Sequence, residues 1–307
     1  MSDDYLFARL DNLTVWQRRG ERAPHKPLLI LLALGRFTRG ETSLPFTELE
    51  PELRDLLREF GPHRQAVHPE YPFWRLQRDG LWEVATTVGT TLRRSNTDPT
   101  VRSLRSSGAT GRFPAALQRT LSDRPSVVGD MARMLLDAHF PASIHGDILA
   151  AVGLSLTSRY TAKQLRDPAF RSAVLKAYTF NCVVCGLDIR IGNRTIALEA
   201  AHIRWHQAGG PDVVTNGVAL CSLHHKLFDL GAMTISRDFV VLVSDEAHGG
   251  ELFDETLMRH HGQPMRRPLH VGQMPDDIHL SWHQDEVFRG RPRSASRKPL
   301  SSRSSSS

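Results

Sequence analysis

The hydrophobic pattern of the first half opens with an unbroken apolar run. Leu28-Leu29-Ile30-Leu31-Leu32-Ala33-Leu34 follows Pro27 and precedes Gly40. Proline in a first turn and glycine as a stop predict a helix there, apolar on all sides. Phe46 to Phe60 has a different pattern: Leu49, Leu53, Leu56 and Leu57 share one helical face and charges occupy the other, which predicts an amphipathic helix. Tyr71-Pro72-Phe73-Trp74-Arg75-Leu76 and Leu81-Trp82-Glu83-Val84 alternate around Asp79-Gly80, the pattern of a β-hairpin. Ser106-Ser107-Gly108-Ala109-Thr110-Gly111 reads as a mobile loop, and helices return over about 126–140 and 143–153. The polar stretch 155–164 reads as a linker. Beyond it the pattern predicts a helix over Asp167 to Tyr178, a short helix near 222–230, and strands near 232–235 and 239–243. The expected organisation is a mainly α N-terminal domain with a small β-hairpin over 1–154, an α+β domain over 165–288, and a tail from 289 to 307.

Charge changes this picture only at the end of the chain. The formal net charge is +6, and Arg289, Arg291, Arg293, Arg297, Lys298 and Arg303 account for all of it, because no acidic residue follows Arg289. The tail is rich in Ser and Pro, so it is expected to be disordered. It could attract phosphates non-specifically or simply aid solubility. No apolar run approaches the ~20 residues of a membrane span, and Met1-Ser-Asp-Asp-Tyr-Leu is acidic and unlike a signal peptide. No membrane partner and a cytoplasmic location, in a bacterium, are expected.

The chemistry gathers in the second half. All 3 cysteines lie there: Cys182 and Cys185 form a C-x-x-C pair, and Cys221 with His224 forms a C-x-x-H pair. Two such pairs suit the four N/S ligands of a tetrahedral, closed, structural Zn²⁺ site. The alternative is a pair of buried thiols beside an unrelated histidine.

Between and after these pairs lie Leu198-Glu199-Ala200-Ala201-His202-Ile203 and Asn216-Gly217-Val218-Ala219-Leu220-Cys221-Ser222-Leu223-His224-His225. Over about 165–245 this segment resembles the HNH nuclease family, with its zinc-braced ββα-metal motif. The resemblance implies His202 as general base, Asn216 as the brace of the loop that aims it, and His225 as a ligand of a catalytic Mg²⁺ or Mn²⁺. His224 and His225 project about 100° apart on a helix, so they can serve zinc and catalytic metal separately; the two assignments are interchangeable at this stage. Many HNH enzymes carry an acidic ligand directly before the strand histidine, where this chain has Ala201. Glu199, Asp229 or waters are the candidates to complete that shell.

The first half carries a second resemblance. Trp16-Gln17-Arg18-Arg19, Ala23-Pro24-His25-Lys26-Pro27 and His68-Pro69-Glu70-Tyr71-Pro72-Phe73-Trp74-Arg75 resemble, over about 5–155, the sulfur-binding domain of modification-dependent restriction endonucleases that recognise phosphorothioated DNA. The resemblance implies that Tyr71, Pro72 and Ala109 wall the sulfur, while Arg18, Arg19, His25, Lys26, Arg102 and Arg105 hold the DNA. The expected protein is a type IV-like endonuclease acting on double-stranded DNA that carries phosphorothioate. It would cut both strands as a homodimer or by two sequential nicks. The alternatives are an HNH nuclease directed by a methylated base or by sequence, and a DNA-binding protein with an inactive HNH unit.

Overall fold

The computed structural model describes residues 3–13, 24–62, 66–87, 98–155 and 168–294. The first half contains helices α1 (Asp3–Asp11), α2 (His25–Thr38), α3 (Phe46–Phe60), α4 (Glu70–Arg75), α5 (Val101–Ser106), α6 (Ala115–Asp123), α7 (Ser126–His139) and α8 (His145–Ala151). Strands β1 (Leu44–Pro45), β2 (Glu83–Ala85) and β3 (Thr110–Arg112) form one antiparallel sheet in the order β1-β3-β2. Every residue of α2 from Pro27 to Gly35 is buried, as an all-apolar helix requires. Helices α3, α4 and α7 pack around it. No described helix is long and apolar enough to cross a membrane.

Two sequence expectations change here. The stretch read as the first strand of a hairpin is helix α4, continued by a 3₁₀ turn over Leu76–Asp79. Pro69 and Pro72 sit before and within the first turn, where a missing N–H costs nothing. Phe73 and Leu76, three apart, both enter the core, so helical spacing underlies what looks like alternation. Gly80, with φ 67°, caps this turn, and β2 pairs with β3 from further along the chain. The stretch read as a mobile loop is ordered: Ser107 and Ala109 are buried, and the Ala109 carbonyl accepts from the Phe46 N–H at 2.8 Å.

The second half contains α9 (Pro168–Ala177), α10 (Ser222–Asp229), α11 (Glu251–Thr256) and α12 (Asp277–Glu286). Its strands pair in antiparallel twos: β4 (Arg190–Ile191) with β5 (Arg194–Thr195), β6 (Leu198–His202) with β7 (Gly217–Cys221), and β8 (Met233–Ile235) with β9 (Val241–Val243). The expected linker lies almost wholly outside the described residues. The start of the expected tail is ordered rather than free. Arg289 N–H bonds the Gly231 carbonyl and Arg293 N–H the Val243 carbonyl, so backbone pairing outweighs a disorder-like composition. The rest of the tail lies outside the described residues. The halves also share a core: Trp205, Trp282 and Val287 pack with the apolar cluster of the first half.

Two tests follow from the packing of the first half. A Cβ on Gly111 would lie 2.2 Å from Trp82 and 2.8 Å from Phe73, so Gly111→Ala is expected to cost about 1–3 kcal/mol in urea unfolding. Glu50, 1% exposed, accepts from Arg54 at 2.8 Å and from Arg105. Burial raises its carboxyl, but these guanidiniums hold it below the ordinary value of 4.5. A lowered folded value means that its stabilisation is present above the unfolded value and is lost as pH falls through the folded one. Glu50→Gln is therefore expected to flatten the acid limb of a melting-temperature profile below pH 4.5.

Candidate functional site

The first cluster forms where a turn, a strand end and a helix start meet. Cys182 and Cys185 lie on a tight turn closed by Gly186 N–H to the Cys182 carbonyl at 2.9 Å. Cys221 ends β7, and His224 lies in the first turn of α10. One donor atom from each of these four residues falls within 4.8 Å of the others. Cys182 Sγ is 3.8 Å from His224 Nδ1, Cys185 Sγ is 3.9 Å from Cys221 Sγ, and Cys221 Sγ is 3.1 Å from His224 Nδ1. A zinc–sulfur bond of ~2.3 Å in a tetrahedron puts ligands about 3.8 Å apart, so the donors fit that ion. Hydrogen bonds from Cys185 and Cys221 pull the Cys182 thiol well below its ordinary value despite burial, toward the thiolate that ligates metal. His224 Nε2 lies 3.0 Å from the Thr256 carbonyl, which fixes the ring with Nδ1 toward the sulfurs. The cluster takes His224 and leaves His225 for a different set of partners.

His225 lies between two carboxylates. Its Nδ1 is 2.6 Å from Glu199 Oε2 and its Nε2 is 3.1 Å from Asp229 Oδ2. Ser222 Oγ–H donates to the other Glu199 oxygen at 2.8 Å. Burial opposes charge on both His225 and Asp229, yet each holds the other in its charged form. Asp229 and Glu199 raise His225 to about 9, and His225 keeps Asp229 below its ordinary value. The O/N pair of Glu199 and His225 suits a divalent cation. Asp229 on the far ring nitrogen supplies the carboxylate support typical of metal-ligating histidines.

His202 ends β6. Strand alternation groups it with Leu198 and Ala200, and Glu199 with Ala201. Its Nε2 is 2.6 Å from Asp212 Oδ1, and its ring stacks on Phe170 with centroids 4.1 Å apart. Asn216 is fully buried. Its Oδ1 accepts from the Arg204 N–H at 2.8 Å, and its Nδ2 donates to the Arg204 and Pro211 carbonyls at 3.0 and 2.9 Å. It thus clamps the loop that carries Asp212 to His202. Beside Glu199 opens a 690 Å³ cleft lined by Arg171, Phe180, Asn193, Arg194 and Thr195. Asp212 and Arg194 were missed by sequence reading. The signal for Asp212 was the Gly209-Gly210-Pro211 turn that brings the chain back, whereas nothing local marked Arg194.

The residues expected to read DNA are placed unevenly. Tyr71 is exposed and stacks on His68 with centroids 4.6 Å apart; the Arg75 guanidinium lies 4.4 Å from its ring centre. Pro72 beside it is buried. Ala109 is 2% exposed, within the core. Lys26 pairs with Asp79 at 2.6 Å, and its side chain is 11% exposed. His25 is half-buried beside it. Arg102 is exposed, and Arg105 is tied to Glu50. Arg18 and Arg19 lie outside the described residues.

The model of the ScoMcrA-like DNA sulfur-binding domain family matches residues 3–157, and that of the HNH endonuclease family matches residues 182–236. Among solved structures the chain is similar to the sulfur binding domain of ScoMcrA complexed with phosphorothioated DNA, at 25% identity over 48% of this chain and 94% of that one, TM-score 0.41. It is similar to the corresponding SprMcrA domain complexed with phosphorothioated DNA, at 22% identity over 50% and 95%, TM-score 0.41. It is also similar to the Type IV phosphorothioation-dependent restriction endonuclease ScoMcrA, at 24% identity over 47% of this chain and 31% of that one, TM-score 0.39. No curated protein matches the chain.

The Cys182–Cys185–Cys221–His224 geometry is expected to hold one metal ion per chain. Elemental analysis of Cys221→Ser should find that ion lost. The melting temperature should fall by roughly 10 °C or more, at ~2–4 °C per kcal/mol for a protein of this size.

Proposed function

This chain belongs to the ScoMcrA-like DNA sulfur-binding domain family, and from that premise we propose that it is a modification-dependent, type IV-like restriction endonuclease. It recognises phosphorothioate in double-stranded DNA through its first half and hydrolyses phosphodiester bonds nearby with its HNH half. The observation that carries this reading is the union, in one chain, of a sulfur-binding family match over 3–157 with an HNH match over 182–236. The Glu199–His225–Asp229 and His202–Asp212 groups lie inside or beside that second match.

Replacing a non-bridging phosphate oxygen by sulfur gives a larger, softer and less hydrated atom. A surface of ring faces accepts it with little desolvation cost and penalises an oxygen that must shed water. The exposed Tyr71 ring, stacked on His68 and with the Arg75 guanidinium over it, offers apolar ring surface together with a cation for the phosphodiester charge. Pro72 has no N–H to favour an oxygen.

In the nuclease half, Asp212 orients His202 through the contact at its Nε2, and the imidazole so held is the base that takes a proton from the attacking water. Asn216 keeps Asp212 in place through its grip on the Pro211 carbonyl. Glu199 and His225 would hold a divalent cation, Mg²⁺ or Mn²⁺, which stabilises the charge on the departing oxygen. The Cys182–Cys185–Cys221–His224 cluster would hold structural Zn²⁺. Arg171 and Arg194 line the cleft along which the scissile strand runs, in position to neutralise its phosphates. Glu199 takes the acidic place that Ala201 leaves empty, which favours an active HNH unit over an inactive one. The protein acts on DNA in the bacterial cytoplasm, as a homodimer or by two successive nicks; sedimentation with and without DNA separates these.

The test is cleavage, with Mn²⁺ or Mg²⁺, of two duplexes of one sequence, one of which carries phosphorothioate on each strand. Cutting is expected only on the sulfur-bearing duplex. His202→Ala is expected to slow it by about 10²–10⁴-fold, the usual worth of a general base, while DNA binding persists. Equal cutting of both duplexes would remove the sulfur-reading half of the proposal, and unimpaired cutting by His202→Ala would remove its mechanism.

A further inference from the structure

Asp229 is a buried carboxylate, with its side chain 1% exposed. A charge removed from water needs partners for its oxygens. One partner is His225 Nε2, at 3.1 Å from Oδ2. The other comes from the opposite half of the molecule: Ser143 Oγ–H donates to the same Oδ2. Ser143 sits in the 3₁₀ turn Ala142–Ile144 between α7 and α8, inside the stretch that matches the sulfur-binding family.

Further links fix this junction. Lys226 on α10 pairs with Asp147 on α8 at 2.9 Å. Arg289 donates to the Arg58 and Glu59 carbonyls at the end of α3. Trp205 and Trp282, with ring centroids 6.1 Å apart, join the core of the first half. Helix α10 is therefore seated from the recognition side at both its buried and its exposed faces.

We propose that Ser143, contributed by the DNA-reading half, is a positioning residue of the nuclease site. It orients Asp229, which in turn fixes the ring of His225 toward Glu199. This rests on the reading of Glu199 and His225 as the holders of the catalytic cation. The two halves then cannot be treated as a reader tethered to a self-sufficient cutter. Seating of the reader completes the support of the cutter's metal ligand, so a shift at the junction reaches His225 through one hydrogen bond. Outer-shell partners of ligating histidines are worth about 10–100-fold in metal affinity, which sets the size of the effect.

The experiment uses the full zinc-loaded chain and its Ser143→Ala, Ser143→Thr and Asp147→Asn variants. Mn²⁺ binding is followed by calorimetry, binding of phosphorothioated duplex by fluorescence anisotropy, and cutting as a function of Mn²⁺ concentration. For Ser143→Ala we expect Mn²⁺ affinity to fall by about 10-fold or more with duplex affinity unchanged. Ser143→Thr, which keeps the hydroxyl, should restore Mn²⁺ affinity, and Asp147→Asn should leave it at the wild-type value. If Ser143→Ala does not fold, Ser143→Cys carries the same comparison, because it keeps the volume and donates weakly. Wild-type Mn²⁺ affinity in folded Ser143→Ala overturns the proposal. So does an equal loss in Asp147→Asn, which would assign the effect to general loosening of the junction. A wild-type chain that binds Mn²⁺ but leaves phosphorothioated DNA uncut would refute the functional reading while this relay stands. Normal cutting with unchanged metal affinity in Ser143→Ala would refute the relay alone.

Discussion

The register of the β6–β7 ladder is the constraint on which the second half depends. Leu198 faces Cys221 at one end and His202 faces Gly217 at the other, so five residue pairs connect the thiol cluster to the histidine–asparagine end. A slip of one residue would turn every side chain to the opposite face. It would part Glu199 from α10 and His202 from Phe170 together. Gly217 admits no alternative, because a Cβ there would lie 2.4 Å from Val174 and 3.0 Å from Phe170 of α9. The cysteine cluster locks one end of the ladder and the Asn216 amide locks the other, although neither contributes a reacting atom.

Charge placement follows the same economy of parts. Buried carboxylates are used where a neighbouring cation or imidazole must be held still: Glu50 between Arg54 and Arg105 in the first half, and Asp229 against His225 in the second. Lys26 and Arg105 each pair with a carboxylate of the first half, Asp79 and Glu50.

Much of this was legible in the chain. The amphipathic stripe of 46–60 specifies its helix by period, and the apolar block after Pro27 by the proline before it and the glycine that follows. The HNH residues lie within one short stretch, so their order survives without knowledge of the fold. The aromatic run at 71–76 misled because aromatic residues at helical spacing can also look alternating. Its two prolines, at positions tolerated in a first turn, were the better guide. The stretch 289–294 misled because Arg, Pro and Ser resemble a disordered tail, whereas its pairing partners, Gly231 and Val243, are far away in sequence. Ser143 was invisible for the same reason: it acts on Asp229, which only folding brings near, and no periodicity records a contact of that kind.

The tryptophans at 205 and 282 have a consequence for how such proteins can be rearranged. They arise in the nuclease half yet pack in the core of the reader, so the seam between the halves is not a clean cut in the chain. Exchange of the reading module between relatives, in the laboratory or in evolution, would bring together surfaces shaped for other partners. A new reader would have to receive two indole rings and offer a hydroxyl at the place of Ser143. Transplanting specificity in this architecture therefore means transplanting a fitted pair rather than a detachable head.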